Sequence, residues 1–200
     1  MARRSDPRIR ARLRLEAVNY VLSHGLWDLS LRPLAKALKT SARMLVYHFG
    51  SREELMREVL CGLRERADAE IRAWMRSGKY RRTLPEFLRW YWRQVSSPRA
   101  RPAARVVFEV YALALRHPDR YPGVLEEPRA YWRKLTRSLG GSPPLDVATA
   151  TLLLATTRGL LLDVTATGER ARVGRAMRAL IGMVESTGRR RAARAPNLVR

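Results

Sequence analysis

The chain has 200 residues, with 40 lysines and arginines against 18 acidic residues, a net charge of +22. Charge of this size suits a polyanion partner, most simply nucleic acid, and an apolar content of 46% is ample for a core. A single cysteine, Cys61, excludes an intramolecular disulfide framework and fits a reducing, cytoplasmic setting.

Arginine supplies nearly all of the positive charge and is spread along the chain, so charge alone does not locate a surface. The first residues carry charge without an apolar h-region, so no signal peptide is expected. Arg3 to Arg14 reads as a basic arm merging into a first helix, which buries Ala17, Val18, Val21 and Leu22 and stops at Gly25. Trp27 and Leu29 are placed to plug a small helical core. Leu31, Leu34, Ala35 and Leu38 follow at i, i+3, i+4, i+7, one apolar face of a short helix. Ser30 stands at its N-cap, and Pro33 is tolerated in the first turn, where N–H groups are free. Lys39-Thr40-Ser41 breaks the pattern. Ser41 then caps a second short helix, Ala42 to Phe49, which buries Leu45 and Phe49 and shows Arg43, Tyr47 and His48 on its other face. Two short helices, a tight polar turn and polar side chains on the second describe a helix-turn-helix DNA reader.

Ser51-Arg52-Glu53-Glu54 is a capping box opening a long helix to about Ser77, ended by Gly78. Leu84 to Val95 is a helix dense in aromatics. Pro98 and Pro102 bracket a connector, and Arg105 to Leu115 is another helix. Tyr121-Pro122-Gly123 is a turn, Val124 to Leu139 a further helix, and Gly140 to Pro144 the clearest break. Asp146 caps a helix apolar on most faces, Val147 to Thr167. Arg158, Asp163 and several threonines argue against a membrane span there and for a buried or partner-facing helix. The last helix, about Glu169 to Thr187, carries the stripe Val173, Met177, Leu180, Ile181 and Val184. No strand pattern survives, since alternations such as Val106-Val107-Phe108 sit inside helical periodicity. The expected fold is all-α: a three-helix reader over residues 1–50, a larger helical domain over 51–188, and a basic disordered tail over 189–200.

The stretch from Ser30 to Leu55 resembles the N-terminal domain of the tetracycline-repressor (TetR) family of bacterial transcription regulators. Ser30, Leu34-Ala35, Ser41, Leu45, Tyr47-His48-Phe49 and Ser51-Arg52-Glu53-Glu54-Leu55 carry the resemblance. Val46 stands where the family usually has a first Tyr, and Arg52 replaces a Lys. Lys39 replaces the usual turn Gly, so the turn is expected either to avoid positive φ or to strain there. The resemblance implies a homodimer in which the last two helices, Val147–Thr167 and Val173–Val184, pack against their copies. It also implies a pocket in the C-terminal domain whose occupancy changes the spacing of the two readers. Trp74, Phe87, Trp90, Tyr91, Phe108, Tyr111, Tyr131 and Trp132 lie on the helices expected to surround it; taken singly each also reads as plain core, and as a set they suit an apolar or aromatic effector.

The partner expected at the reader is double-stranded DNA. Arg43 is the best base reader, because an arginine fork matches the O6/N7 edge of guanine. Tyr47 resembles the family's phosphate-contacting tyrosine, with His48 beside it. Ser30 and Ser41 are expected mainly to cap and secondarily to meet phosphate. Arg52, Lys36 and Lys39 suit phosphate, and Arg3, Arg4, Arg8 and Arg10 suit a minor-groove arm or, more commonly for such a run, a solvated basic tail. No enzyme is expected: His24, His48 and His117 are isolated, Cys61 has no base near it in sequence, and no phosphate-cradling Gly loop, metal set or cofactor motif occurs. The competing reading is a basic helical module that binds RNA or anionic lipid without sequence preference.

Overall fold

Short polar side chains write the helix starts. Asp6 Oδ1 accepts from the Arg8 N–H at 2.8 Å, Ser41 Oγ from Met44 at 3.1 Å, Ser51 Oγ from Glu54 at 3.0 Å, and Asp146 Oδ1 from Thr149 at 2.8 Å. Each satisfies an N–H that has no partner inside its own helix. The computed structural model describes residues 6–26, 29–77, 83–120 and 146–194. Within them run α1 (Pro7–His24), α2 (Leu31–Ala37), α3 (Ala42–Phe49), α4 (Arg52–Arg76), α5 (Leu84–Val95), a 3-10 turn (Pro98–Ala100), α6 (Arg101–Arg116), α7 (Val147–Thr167) and α8 (Arg170–Arg194). No strand occurs among the described residues.

Two helices exceed their expected bounds. Helix α6 begins at Arg101, because Pro102 falls in its first turn, where no N–H is missed. Helix α8 continues through Gly188 to Arg194, past the expected start of a tail at 189. Arginine and alanine are strong helix formers, and cations near a helix C-terminus complement its dipole. The expected helix Val124–Leu139, the break at Gly140–Pro144, Arg3, Arg4, Trp27 and Gly78 lie outside the described residues.

The chain divides into two compact units, Met1–Ser77 with Arg105–Leu125, and Gly78–Ala104 with Glu126–Arg200. In the first, α1 packs on α4, α3 on α4, and α2 on α3. Leu13, Val21, Leu34, Leu45, Leu55 and Val59 form a core at most 2% exposed. Helix α1 approaches α4 so closely that a Cβ on Gly62 would lie 2.6 Å from Val18 Cγ2, so only glycine fits. Val106 and Ala114 of α6 belong to this same core. In the second unit, α5 and α7 both pack on α8. Val173, Met177 and Ile181 of α8 are buried, as their stripe predicts.

Helix α7 has two distinct faces. Leu153, Leu154, Thr157, Leu161 and Val164 are buried, while Val147, Leu152 and Leu162 are 60%, 64% and 50% exposed. Leu154 and Leu161 are therefore core residues of one chain.

Candidate nucleic-acid interface

Helix α3 presents its outer face because its inner face is anchored. Leu45 and Phe49 are buried, and Arg43, Met44, Val46 and Tyr47 are exposed. Gly50, at φ 85°, ends the helix with its N–H on Val46 O. The turn before α3 is a complete Schellman closure of α2: Lys39 N–H reaches Lys36 O at 3.2 Å and Thr40 N–H reaches Ala35 O at 2.9 Å. That closure needs a left-handed residue at position 39. Lys39 supplies it at φ 52°, alone among the described non-glycine residues. A lysine is thus held where glycine would sit without strain. Its side chain is exposed, as are Lys36 and Ser41.

Two serines divide the expected duties differently. Ser41 caps α3. Ser30 occupies the N-cap of α2 with extended backbone, but its hydroxyl makes no cap hydrogen bond. Capping is therefore not the work of the Ser30 side chain, and its exposed hydroxyl faces solvent.

His48 does not belong to the outer face. It is 6% exposed, with its ring edge-on to Tyr47 at 5.1 Å, beside a cleft lined by Arg10, Arg14 and Glu58. The reason is helical: residue 48 follows Leu45 by three and so turns toward the core. Arg10 is likewise not a free arm. It donates to Glu58 at 2.5 Å, and its guanidinium stands 5.6 Å from the Phe49 ring centre. Arg14 binds Glu58 at 2.9 Å and Glu65 through two bonds of 2.8 and 2.9 Å. The Arg14 bond holds the Glu65 carboxyl below the usual range, and the same pair raises Arg14. Arg8 remains exposed.

Arg52 is exposed, but one arm of its fork is committed: Nη2 donates to Leu29 O at 3.0 Å. It clamps the start of α4 to the segment entering α2. Sequence reasoning missed a second clamp on this segment. Glu109 of α6 accepts from the Leu26 N–H at 2.5 Å and is met by Arg105 at 3.3 Å. Gly25 makes room for it, since a Cβ there would lie 2.9 Å from Glu109 Oε1, and its φ is 88°. The available signal was an acidic residue in the apolar run Val106–Leu113, which has no use for a charge unless something meets it.

No protein-family model and no curated protein matches the chain. Solved structures do. The multidrug binding protein EbrR, complexed with imidazole, aligns with 88% of this chain and 89% of its own at 24% identity and a TM-score of 0.65. A transcriptional regulator from Rhodococcus sp. Rha1 aligns over 89% and 96% at 20% identity and a TM-score of 0.71. A protein described as a TetR-family transcriptional regulator, also from Rhodococcus, aligns over 90% and 97% at 20% identity and a TM-score of 0.65. The chain has the TetR-type fold.

In that TetR-type frame, the aromatic residues expected to line a ligand site divide between the two units. Trp74, Phe108 and Tyr111 fall in the first, Phe87, Trp90 and Tyr91 in the second. Tyr131 and Trp132 lie outside the described residues. The structure brings Phe87, Trp90 and Tyr91 together on α5, with the Phe87 ring 5.9 Å from Trp90 and 5.7 Å from Tyr91. Phe87 is buried, and the other two are half-buried. Among the described residues no group of histidine, cysteine and acidic side chains is placed to hold a metal.

Proposed function

We propose that this protein is a DNA-binding transcription regulator that reads an inverted-repeat operator as a homodimer and answers to a small aromatic ligand. The observation that carries the DNA reading is α3. Arg43 and Tyr47 project from a helix whose underside is locked by Leu45, Phe49 and His48 and whose approach is a lysine-bearing turn. Base-edge contact falls to Arg43. Phosphate contact falls to Tyr47, Lys36, Lys39, Ser30, Ser41 and the uncommitted part of the Arg52 fork. His48 supports the helix from beneath.

The dimer reading rests on the outer faces of α7 and α8. Leu152 and Leu162 of α7 and Met183 of α8 are half or more exposed. On the same two helices, a Cβ at Gly159 or Gly182 would meet nothing within 4 Å. Apolar side chains beside open glycines let two helix pairs approach closely, at roughly 25 cal/mol gained per Å² of apolar surface covered. The ligand reading is supported by the aromatic group on α5 and by EbrR, which was solved with imidazole and with proflavin.

Selection of bound sequences from random duplex DNA tests the proposal. An inverted repeat with half-site centres about 10 bp apart, or a multiple of that, is expected. Recovery of a single asymmetric site would remove the dimeric reader. Binding without any sequence preference would favour the basic-module alternative.

A further inference from the structure

Four side chains of α3 are exposed, Arg43, Met44, Val46 and Tyr47, and two of them are apolar. Met44 is 40% exposed and Val46 39%. Valine is a modest helix former, and an exposed one adds little to a helix of eight residues. What covers this face is set by charge. From Leu29 to Ser51 the sequence holds Arg32, Lys36, Lys39 and Arg43 and no acidic residue. All four cations are exposed. A surface of this sign suits nucleic acid rather than a second apolar protein face. The major groove of B-DNA offers one apolar group for such residues to cover, the C5 methyl of thymine.

The two apolar residues do not meet a duplex alike. At 3.6 residues per turn the outer face runs Val46, Arg43, Tyr47, Met44 around the helix, in steps of about 60°, 40° and 60°. With Tyr47 on phosphate and Arg43 on a guanine edge, the Tyr47 flank is the backbone side. Met44 lies beyond Tyr47 on that flank, over sugar and phosphate. Val46 lies beyond Arg43 on the opposite flank, over base edges. Valine is also the stiffer of the two, with one preferred χ1 in a helix, and it presents its methyl groups at a fixed place, whereas methionine adapts. We infer that Val46 reads the methyl group of a thymine neighbouring the guanine read by Arg43. This inference rests on the DNA-reading proposal above and adds a second specified base to the one it assigns.

The test uses the full chain and the site recovered by selection from random duplex DNA. Each thymine of that site is replaced in turn by uracil, which removes the methyl group and leaves the base pair unchanged. Affinity is read by fluorescence anisotropy for the wild type, Val46→Ala and Met44→Ala. Both positions are exposed, so the variants should melt with the wild type. At one thymine beside the guanine that depends on Arg43, uracil should weaken wild-type binding about fourfold in one half-site and about fifteenfold in both, the worth of one covered methyl group each. Val46→Ala should bring that penalty close to none, and Met44→Ala should keep it. Equal affinity for the thymine and uracil sites throughout would overturn the methyl inference and leave the DNA-reading proposal intact. A penalty that survives in Val46→Ala, or that is lost equally in Met44→Ala, would overturn Val46 as the residue responsible. Binding by the wild type without any sequence preference would remove both the inference and the proposal beneath it.

Discussion

The reader unit and the α7–α8 pair are built from the same element and treat their surfaces in opposite ways. In the reader, the outer face of α3 shows Arg43 and Tyr47 beside the exposed Met44 and Val46. Its joints are polar: Arg10 and Arg14 on Glu58, Arg52 on Leu29 O, Glu109 on Leu26 N–H. In α7 and α8, Leu153, Leu161, Val173 and Met177 are buried and Arg172 of α8 holds Asp163 of α7 through two bonds, while leucines and a methionine stay outside. A charged outer face suits a polyanion that stays wet. An apolar outer face suits a second protein surface that excludes water.

The sharpest break in that comparison lies between two adjacent leucines. Leu161→Glu buries a charge inside one chain and should cost roughly 4 kcal/mol or more, read as loss of the cooperative thermal transition. Leu162→Glu lands on the exposed face and should leave the fold intact while producing monomers in sedimentation. A dimer that survives Leu162→Glu and Leu152→Glu together would end the assignment of this face.

Within the reader, Arg43 and Glu109 test contact against scaffold. Arg43→Ala should weaken operator binding by about 1–3 kcal/mol and relax preference at one base position, with the melting temperature unchanged. Glu109→Ala should act in the other order. Removing the acceptor of the Leu26 N–H should cost stability of about 1–3 kcal/mol and weaken all DNA sequences alike. Glu109→Gln, which keeps an acceptor oxygen, should recover part of it. Uniform loss of affinity in Arg43→Ala would reduce that arginine to a phosphate contact.

Lys39→Gly separates stability from binding in a single residue. Relief of the left-handed backbone should stabilise the fold by about 1 kcal/mol in a denaturant titration. Loss of the charge should lower DNA affinity and make its salt dependence shallower by about one unit per half-site. Unchanged affinity would assign the lysine no contact.

The smallest effect is expected at the Arg14–Glu65 pair. Bonding to Arg14 lowers the Glu65 pKa in the fold, so its stabilisation is present above the ordinary carboxylate range and fades as pH falls through the lowered value. Glu65 is largely exposed, so the contribution should stay below about 1 kcal/mol. Glu65→Gln should flatten only that part of an acid titration of stability.

Sequence periodicity determined the helices and much of their facing. Leu34, Ala35, Leu38, Leu45 and Phe49 are buried where their spacing places them, and Ser41, Ser51 and Asp146 cap where their chemistry suggests. These are local facts, since a cap or an apolar stripe depends on residues within a turn or two. Tertiary structure decided the rest. Whether Leu161 or Leu162 of an all-round apolar helix is core depends on where α8 lies. Whether Arg10 is a free arm depends on Glu58 and Phe49 across the fold. Glu109 clamps the segment before α2 from 83 residues away. Partners this far apart in the chain leave no period in the sequence, because only packing brings them together.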